Sequence, residues 1–172
     1  MSREAEALKK KVIIFLLMCA VAKIGFEGMS EILYLNVSES LPLGLYLKMP
    51  RENYQRGDYV IYEPSEEVKT IIIKNGWGDG KRTFLKKVGA IAGDSYSIDE
   101  ETLIFEVAGK YIGQVYETDT TGNKLPKLRG KFKVKEGNVL PVAMNARSFD
   151  GRYTGEISTK NIKTRVVPIF TW

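Results

Sequence analysis

After about residue 56 the chain breaks into short β-prone runs, and this limits its fold more than any other feature. The runs are Tyr59–Tyr62, Thr70–Ile73, Phe84–Val88, Ser95–Ile98, Leu103–Val107, Tyr111–Tyr116, Lys131–Lys135 and Val139–Ala143. Turn formers separate them: Asn75-Gly76, Gly93-Asp94, Ala108-Gly109-Lys110, Glu136-Gly137-Asn138 and Asp150-Gly151. This alternation predicts a mainly β domain with curled sheets. It predicts no amphipathic helix of comparable quality after residue 35. With 172 residues, 44% of them hydrophobic, the chain can bury one core.

The N-terminus has a different character. Residues 1–11 are polar and end in Lys9-Lys10-Lys11, and Val12 to Ala22 (VIIFLLMCAVA) is uncharged. Eleven residues are short for a spanning helix, which needs ~20. They match the apolar core of a secretory signal. If Lys23 snorkels, the apolar stretch reaches Phe26 and gives a short anchor. The favoured reading is an uncleaved anchor with the lysine triplet on the cytoplasmic side. A signal cleaved at Ala20-Val21-Ala22 and a buried helix of a cytosolic domain are the alternatives. Cys19 reads as a buried apolar thiol, and Glu27 to Leu35 as a short helical continuation. Residues 1–35 are thus expected to form a cytoplasmic tail and membrane anchor. Residues 36–172 are expected to form a β-rich domain on the extracytoplasmic side of that membrane.

Charge argues against a nucleic-acid partner. The first 23 residues carry five basic groups against two acidic ones, and the remaining 149 carry 21 against 19. The excess lies in the tail and not in the body, where a nucleic-acid protein would carry it. Lys127, Arg129, Lys131, Lys133 and Lys135 alternate along one strand face, which reads as a solvated surface.

The chemistry is narrowed by what is missing. The chain has no histidine and one cysteine. Ser-His-Asp and Cys-His arrangements, histidine-ligated metals and thiolate zinc sites are excluded, and neither metal nor cofactor is expected. The stretch Gly76-Trp77-Gly78-Asp79-Gly80-Lys81-Arg82 lacks phosphate-loop spacing and reads as a flexible hairpin tip. Asp99-Glu100-Glu101 reads as a solvated turn. A hydrolase built from this chain would need Lys, Asp, Glu or an amine as its base. Ser38 and Ser40 stand two apart before Pro42 and Gly44, in an extended segment entering a tight turn. A serine hydroxyl needs a base, and a lysine serves as one when an apolar pocket lowers its pKa from ~10.4 to ~7–8. Lys86 lies inside Phe84-Leu85-Lys86-Lys87-Val88. Strand alternation sends Lys86 and Lys87 to opposite faces, with Phe84 and Val88 on the face of Lys86.

Together these segments resemble the membrane-bound type I signal peptidases, and within them the TraF-type peptidases of conjugation systems. Ser38 to Tyr46 resembles the S-x-S-x-P-x-G-L-Y nucleophile box, and Gly57-Asp58-Tyr59-Val60 the following G-D-x-V box. Lys86 to Asp94 resembles K-R-x-x-G-x-P-G-D, and Ser148 to Gly155 resembles S-x-D-S-R-Y-x-G. The resemblance implies a coiled, barrel-like β-sheet fold of the signal-peptidase (LexA-like) kind behind an N-terminal membrane-anchor helix. It implies Ser40 as nucleophile, Lys86 as general base, Ser38 as an oxyanion donor beside the Ser40 N–H, and Ser148 as orienter of the lysine. Asp150 and Arg152 would form a supporting ion pair. It further implies cleavage of signal peptides from pre-proteins, pre-pilin among them, at a lipid bilayer. In TraF-like relatives an amine can replace water and close a pilin into a ring. A housekeeping signal peptidase and a non-enzymatic membrane-tethered β-domain of a secretion or pilus assembly are the alternatives. Phe170 and Trp172 are expected in the core. Three departures stand out: Gly151 where the family has Ser, Ala92 where it has Pro, and Asn145 in place of a full G-D-N lead-in.

Overall fold

The computed structural model describes residues 12, 13, 15–19, 23, 25, 28–50 and 53–172. Among the described residues from Leu33 onward, eleven strands and two α-helices follow in chain order: β1 (Leu33–Asn36), β2 (Gly44–Met49), β3 (Tyr59–Tyr62), α1 (Glu66–Lys74), β4 (Phe84–Ile91), β5 (Ser95–Ile98), β6 (Ile104–Val107), β7 (Lys110–Gln114), β8 (Gly130–Lys133), β9 (Asn138–Val142), α2 (Gly151–Thr154), β10 (Ile157–Ser158) and β11 (Ile162–Thr171). A seven-stranded sheet has the order β1-β2-β11-β3-β4-β9-β10, and a four-stranded sheet the order β7-β6-β5-β8. The mainly β expectation holds.

One β-prone run is helical. Thr70–Ile73 lies within α1, where Ser65 caps the N-terminus by accepting from the Val68 N–H. Glu66 and Glu67 occupy the first turn and Lys74 the last, each matched to the helix dipole. Val68 and Ile72, four apart, are the buried face. Cap, charges and apolar stripe together outweigh the β-preference of Thr70 and the isoleucines. At the N-terminal side, residues 28–32 are helical, but the expected continuation to Leu35 stops there. Leu33–Asn36 is a strand, paired with β2 from Leu33↔Leu47 to Asn36↔Gly44.

Strand β11 is the spine of the larger sheet, pairing β2 on one side and β3 on the other. Its register shifts between Pro168 and Phe170. Beyond this bulge Phe170 and Trp172 are both 64% exposed, so the expectation that they pack in the core is corrected. Gly44 explains the tight edge here: at φ 149° its backbone runs so close to β11 that a Cβ would sit 2.1 Å from the Phe170 carbonyl oxygen.

The smaller sheet and β9 enclose the largest core cluster, with Ile98, Phe105 and Leu140 fully buried. Two further clusters lie in the larger sheet: Leu41, Tyr46, Ile61, Leu85 and Val166, and Val60, Tyr62, Val88, Val139 and Ile162. Each large apolar side chain buried this way stabilises the fold by roughly 1.5–3 kcal/mol. The lysines of the basic stripe are solvated as expected, but Arg129 is half-buried and β8 spans only Gly130–Lys133. Lys131, Lys133 and Lys135 are exposed, and Lys127 pairs with Glu117 on the surface. Asp99-Glu100-Glu101 is an exposed turn in which Asp99 accepts from Thr102 and Glu101.

The expected anchor is not supported by the described residues: no helix among them is long and apolar enough to cross a membrane. Much of the segment, including Lys9-Lys10-Lys11 and Ala20-Val21-Ala22, lies outside the described residues. The apolar side chains described there, among them Phe15, Leu16 and Leu17, are exposed. Cys19 is exposed too, against the buried-thiol expectation.

Candidate active site

Ser38 and Ser40 lie on the loop that joins β1 to β2. Asn36 builds this loop. It is 1% exposed. Its Nδ2 donates to the carbonyls of Ser38 (3.0 Å), Leu41 (3.2 Å) and Pro42 (2.9 Å), while its Oδ1 accepts from the Ser38 N–H. The buried Tyr46 hydroxyl donates to the Pro42 carbonyl at 2.7 Å. An amide at position 36 supplies both donors and an acceptor, so it can hold a loop whose own carbonyls point inward. Sequence reasoning gave Asn36 no role, although it opens the serine segment.

Lys86 comes from the middle of the larger sheet, on β4 between β3 and β9, opposite Val60. It is 5% exposed. Its Nζ donates to Ser40 Oγ at 2.7 Å and to Ser148 Oγ at 2.7 Å, and Ser148 Oγ lies 3.2 Å from Ser40 Oγ. The structure thus brings Ser40, Lys86 and Ser148 into one contact. The Phe84 ring centroid is 5.6 Å from Nζ, as strand alternation predicted. Val88 packs instead into the cluster with Val60 and Tyr62. Desolvation pushes the Lys86 amine down to about 8; the Arg152 charge adds to this and the Asp150 charge opposes it. Among the described residues no carboxylate forms an ion pair with the amine, so burial decides the sign. Lys87 is half-buried on the other side of β4, its side chain running past Gly57.

Ser38 is exposed. Its hydroxyl lies 3.4 Å from Ser40 Oγ, and the Ser40 N–H reaches it at 3.5 Å. Both expected oxyanion donors therefore stand beside the Ser40 hydroxyl. Asn145 ties this loop to the one that carries Ser148, donating from Nδ2 to the Glu39 carbonyl at 3.4 Å. The lone asparagine of the lead-in is thus a cross-loop contact.

Behind Ser148 lies the ion pair of Asp150 and Arg152, both wholly buried, with Arg152 Nε 2.9 Å from Asp150 Oδ1. Asp150 also accepts from the Ala143 N–H (2.7 Å) and the Arg152 N–H (3.1 Å). The guanidinium donates onward to the carbonyls of Ala143, Ala146 and Gln114. The pair therefore closes both ends of the segment that holds Ser148. Gly151 between them is a packing requirement: a Cβ there would meet the Pro141 carbonyl oxygen at 2.5 Å and Leu140 Cδ1 at 2.7 Å. Restoring the family residue with Gly151→Ser is expected to destabilise the protein by about 1–3 kcal/mol. A urea midpoint at or above wild type would show that β9 gives way at no cost.

A cavity of about 300 Å³ opens beside Ser40 and Lys86, lined by Tyr34, Ile72, Trp77, Leu85 and Phe149 among others. Residues 76–82, expected as a hairpin tip, instead lie in the connection from α1 to β4 and supply one wall. The glycines were legible as a mobile-looking loop, whereas the wall formed by Trp77 depends on tertiary contacts. Among the described residues no cluster of metal-ligating side chains occurs. The arrangement can do proton transfer: a hydroxyl, a desolvated amine and a second hydroxyl that orients it.

Comparison with known proteins adds an independent line. The family described as signal peptidase, peptidase S26, matches residues 5–172. Two proteins of Escherichia coli, each named plasmid transfer protein TraF, are similar to the chain. One is 28% identical over 148 residues and the other 26% over 146, each covering 80% of this chain and 82% of the relative. A crystal structure of a signal peptidase I from Enterococcus faecalis superposes with a TM-score of 0.38 at 13% identity, covering 67% of this chain and 97% of that one.

Proposed function

We propose, from the premise that the chain belongs to the signal peptidase family, peptidase S26, that it is a serine endopeptidase working with a Ser40–Lys86 dyad. One observation carries this reading: a buried amine, depressed to about 8, lies 2.7 Å from a serine oxygen at the edge of a cavity. Neutral Lys86 takes the Ser40 proton as Oγ attacks a backbone carbonyl. The Ser40 N–H and the Ser38 hydroxyl hold the oxyanion. The lysinium returns its proton to the leaving amine, which departs, and Ser40 is left as an ester of the acyl fragment. Water, deprotonated by Lys86, then releases that fragment and regenerates the hydroxyl. An incoming amine in place of water forms an amide and releases the same serine.

For substrates we propose pre-proteins with signal peptides, and within them proteins of a conjugation system. The plasmid-transfer name of both relatives supports this choice. Membrane anchoring through residues 12–26, with the catalytic domain outside, belongs to the same proposal. It is supported by the lysine triplet and the exposed apolar side chains that follow.

The test incubates the full chain in detergent micelles with a pre-pilin and with an ordinary pre-protein, and reads product masses. Hydrolysis leaves a fragment carrying one added water; ring closure leaves one lighter by that water. If neither substrate is processed under any condition, the peptidase reading loses its ground. The pH dependence follows from Lys86. Its neutral form is the base, so kcat/KM is expected to rise with pH up to about 8 and flatten above. Two pH units below that value about 1% of the amine is neutral, so the rate there falls about 100-fold. A flat profile between pH 6 and 9 would exclude Lys86 as the base.

A further inference from the structure

The cavity beside Ser40 has a neighbour. A second cavity of about 380 Å³ lies across Trp77 and Phe149, which line both spaces. Tyr116, Leu125 and Tyr153 line its far side. The Trp77 and Phe149 rings are 5.0 Å apart and meet edge to face. The two rings are the wall that both spaces share.

The two rings are held differently. Phe149 is stacked on Tyr153 at 5.4 Å and meets Phe84 edge-on at 6.5 Å, so the core fixes it. Trp77 stands between Gly76 (φ 70°) and Gly78 (φ 149°), and its N–H donates to the Ile72 carbonyl at 2.9 Å, which ties its backbone to the end of α1 but leaves the indole to be placed by other contacts. The indole is held by the turn at residues 118–124: Nε1 donates to Asp119 Oδ2 at 2.8 Å. Asp119 is itself held by Thr121 and Asn123, and Asn123 Nδ2 reaches the Asn75 carbonyl at 3.3 Å. A turn distant in sequence from Ser40 and Lys86 thus sets the wall of the cavity beside them.

We infer that Trp77 is a partition that ends the cavity beside Ser40, and that, positioned by Asp119, it limits the length of the side chain accepted on the residue whose carbonyl Ser40 attacks. The inference rests on the Ser40 reading above. The Cα of that residue is bonded to the attacked carbon, so its side chain is the nearest to a cavity lined by Ser40 and Lys86. Ile72, Phe84, Leu85 and Phe149 make the cavity wall mainly apolar, although Asp79 and Arg82 also line it, so the class admitted is a short apolar side chain. A longer one meets the indole. To pass, it must break the Asp119 hydrogen bond and the Phe149 contact. Alanine at position 77 would leave one continuous space.

The test uses acetyl-tripeptide aldehydes that differ only in the last side chain: alanine, leucine, phenylalanine or tryptophan. The aldehyde carbon is the one Ser40 Oγ would add to, forming a hemiacetal. Calorimetry on the full chain in detergent micelles reads affinity. Wild type is expected to bind the alanine member at least ~10-fold more tightly than the tryptophan member. Trp77→Ala is expected to narrow this to within ~3-fold, and Trp77→Phe to fall between. An unchanged ratio in Trp77→Ala overturns the inference, as does equal binding of all four, or no binding, by wild type. Should Trp77→Ala fail to fold, an unchanged ratio in Trp77→Phe overturns it instead. Ser40→Ala separates the two readings: uniformly weaker binding of all four supports the Ser40 adduct. Unchanged affinities in that variant would remove the Ser40 reading while leaving the Trp77 ratios interpretable.

Discussion

Ser40→Ala and Lys86→Met are each expected to lower kcat for peptide cleavage by about 10⁴-fold or more, with the double variant no worse than either single one. Groups that act as one unit lose nearly everything when either is removed, so the losses do not add. The unit here is the 2.7 Å contact between Nζ and Oγ. Without the amine the hydroxyl has no base; without the hydroxyl the amine has no proton to take. Lys86→Arg is expected to be as inactive as Lys86→Met, because a guanidinium stays protonated throughout the working range. Folding must be checked alongside, and it gives a signature of its own. The Lys86 amine sits at about 8 in the fold against 10.5 as its ordinary value. Below pH 8 the fold therefore carries the cost of a buried lysinium. As pH rises from 8 to 10.5 the unfolded chain holds the extra proton, so stability rises. Lys86→Met is expected to be more stable than wild type at pH 7, by on the order of 3 kcal/mol, with the gap closing towards pH 10.5. A Lys86→Met protein that is less stable at pH 7 would mean that the amine is not desolvated as the geometry indicates. Residual cleavage within tenfold of wild type in either single variant would reject the dyad.

The sequence and the structure agree where local chemistry decides and part where distant contacts do. Tyr59–Tyr62 and Ser95–Ile98 were legible to the residue, since alternation and flanking turns define them. Ser40 and Lys86 could be picked out because two serines before a Pro-Gly turn and a lysine inside an apolar strand are unusual, whereas Ser148 was reached only through the family resemblance of Ser148 to Gly155. Thr70–Ile73 misled because its β-branched residues were weighed without the Ser65 cap and the Val68/Ile72 stripe. Strand β11 was invisible because Pro168 and the bulge break its alternation, and it is paired on both sides by strands 100 residues or more earlier in the chain. Asn36 and Trp77 were missed for another reason. Each works through partners, the loop carbonyls and Asp119, whose proximity no spacing rule encodes.

Breaking the ion pair behind Ser148 is expected to cost about 3–5 kcal/mol of stability, whichever partner is removed. In Asp150→Asn the guanidinium of Arg152 stays wholly buried with carbonyls as its acceptors but no counter-charge. In Arg152→Met the carboxylate keeps the Ala143 and Arg152 backbone N–H groups but loses its cation, and the carbonyls of Ala143, Ala146 and Gln114 lose their donor. Combining the two changes is expected to cost less than the sum, because the stranded charge disappears. Urea denaturation of the four proteins measures this; strictly additive losses would show that the two side chains act apart. Activity supplies a second readout that general destabilisation does not mimic. Asp150 favours the lysinium and Arg152 opposes it. Asp150→Asn therefore shifts the rising limb of the pH profile below 8, while Arg152→Met shifts it above. Opposite shifts from two comparably destabilised proteins can only come from the charges themselves. Shifts of the same sign would mean that the pair acts on Lys86 through the position of Ser148 alone.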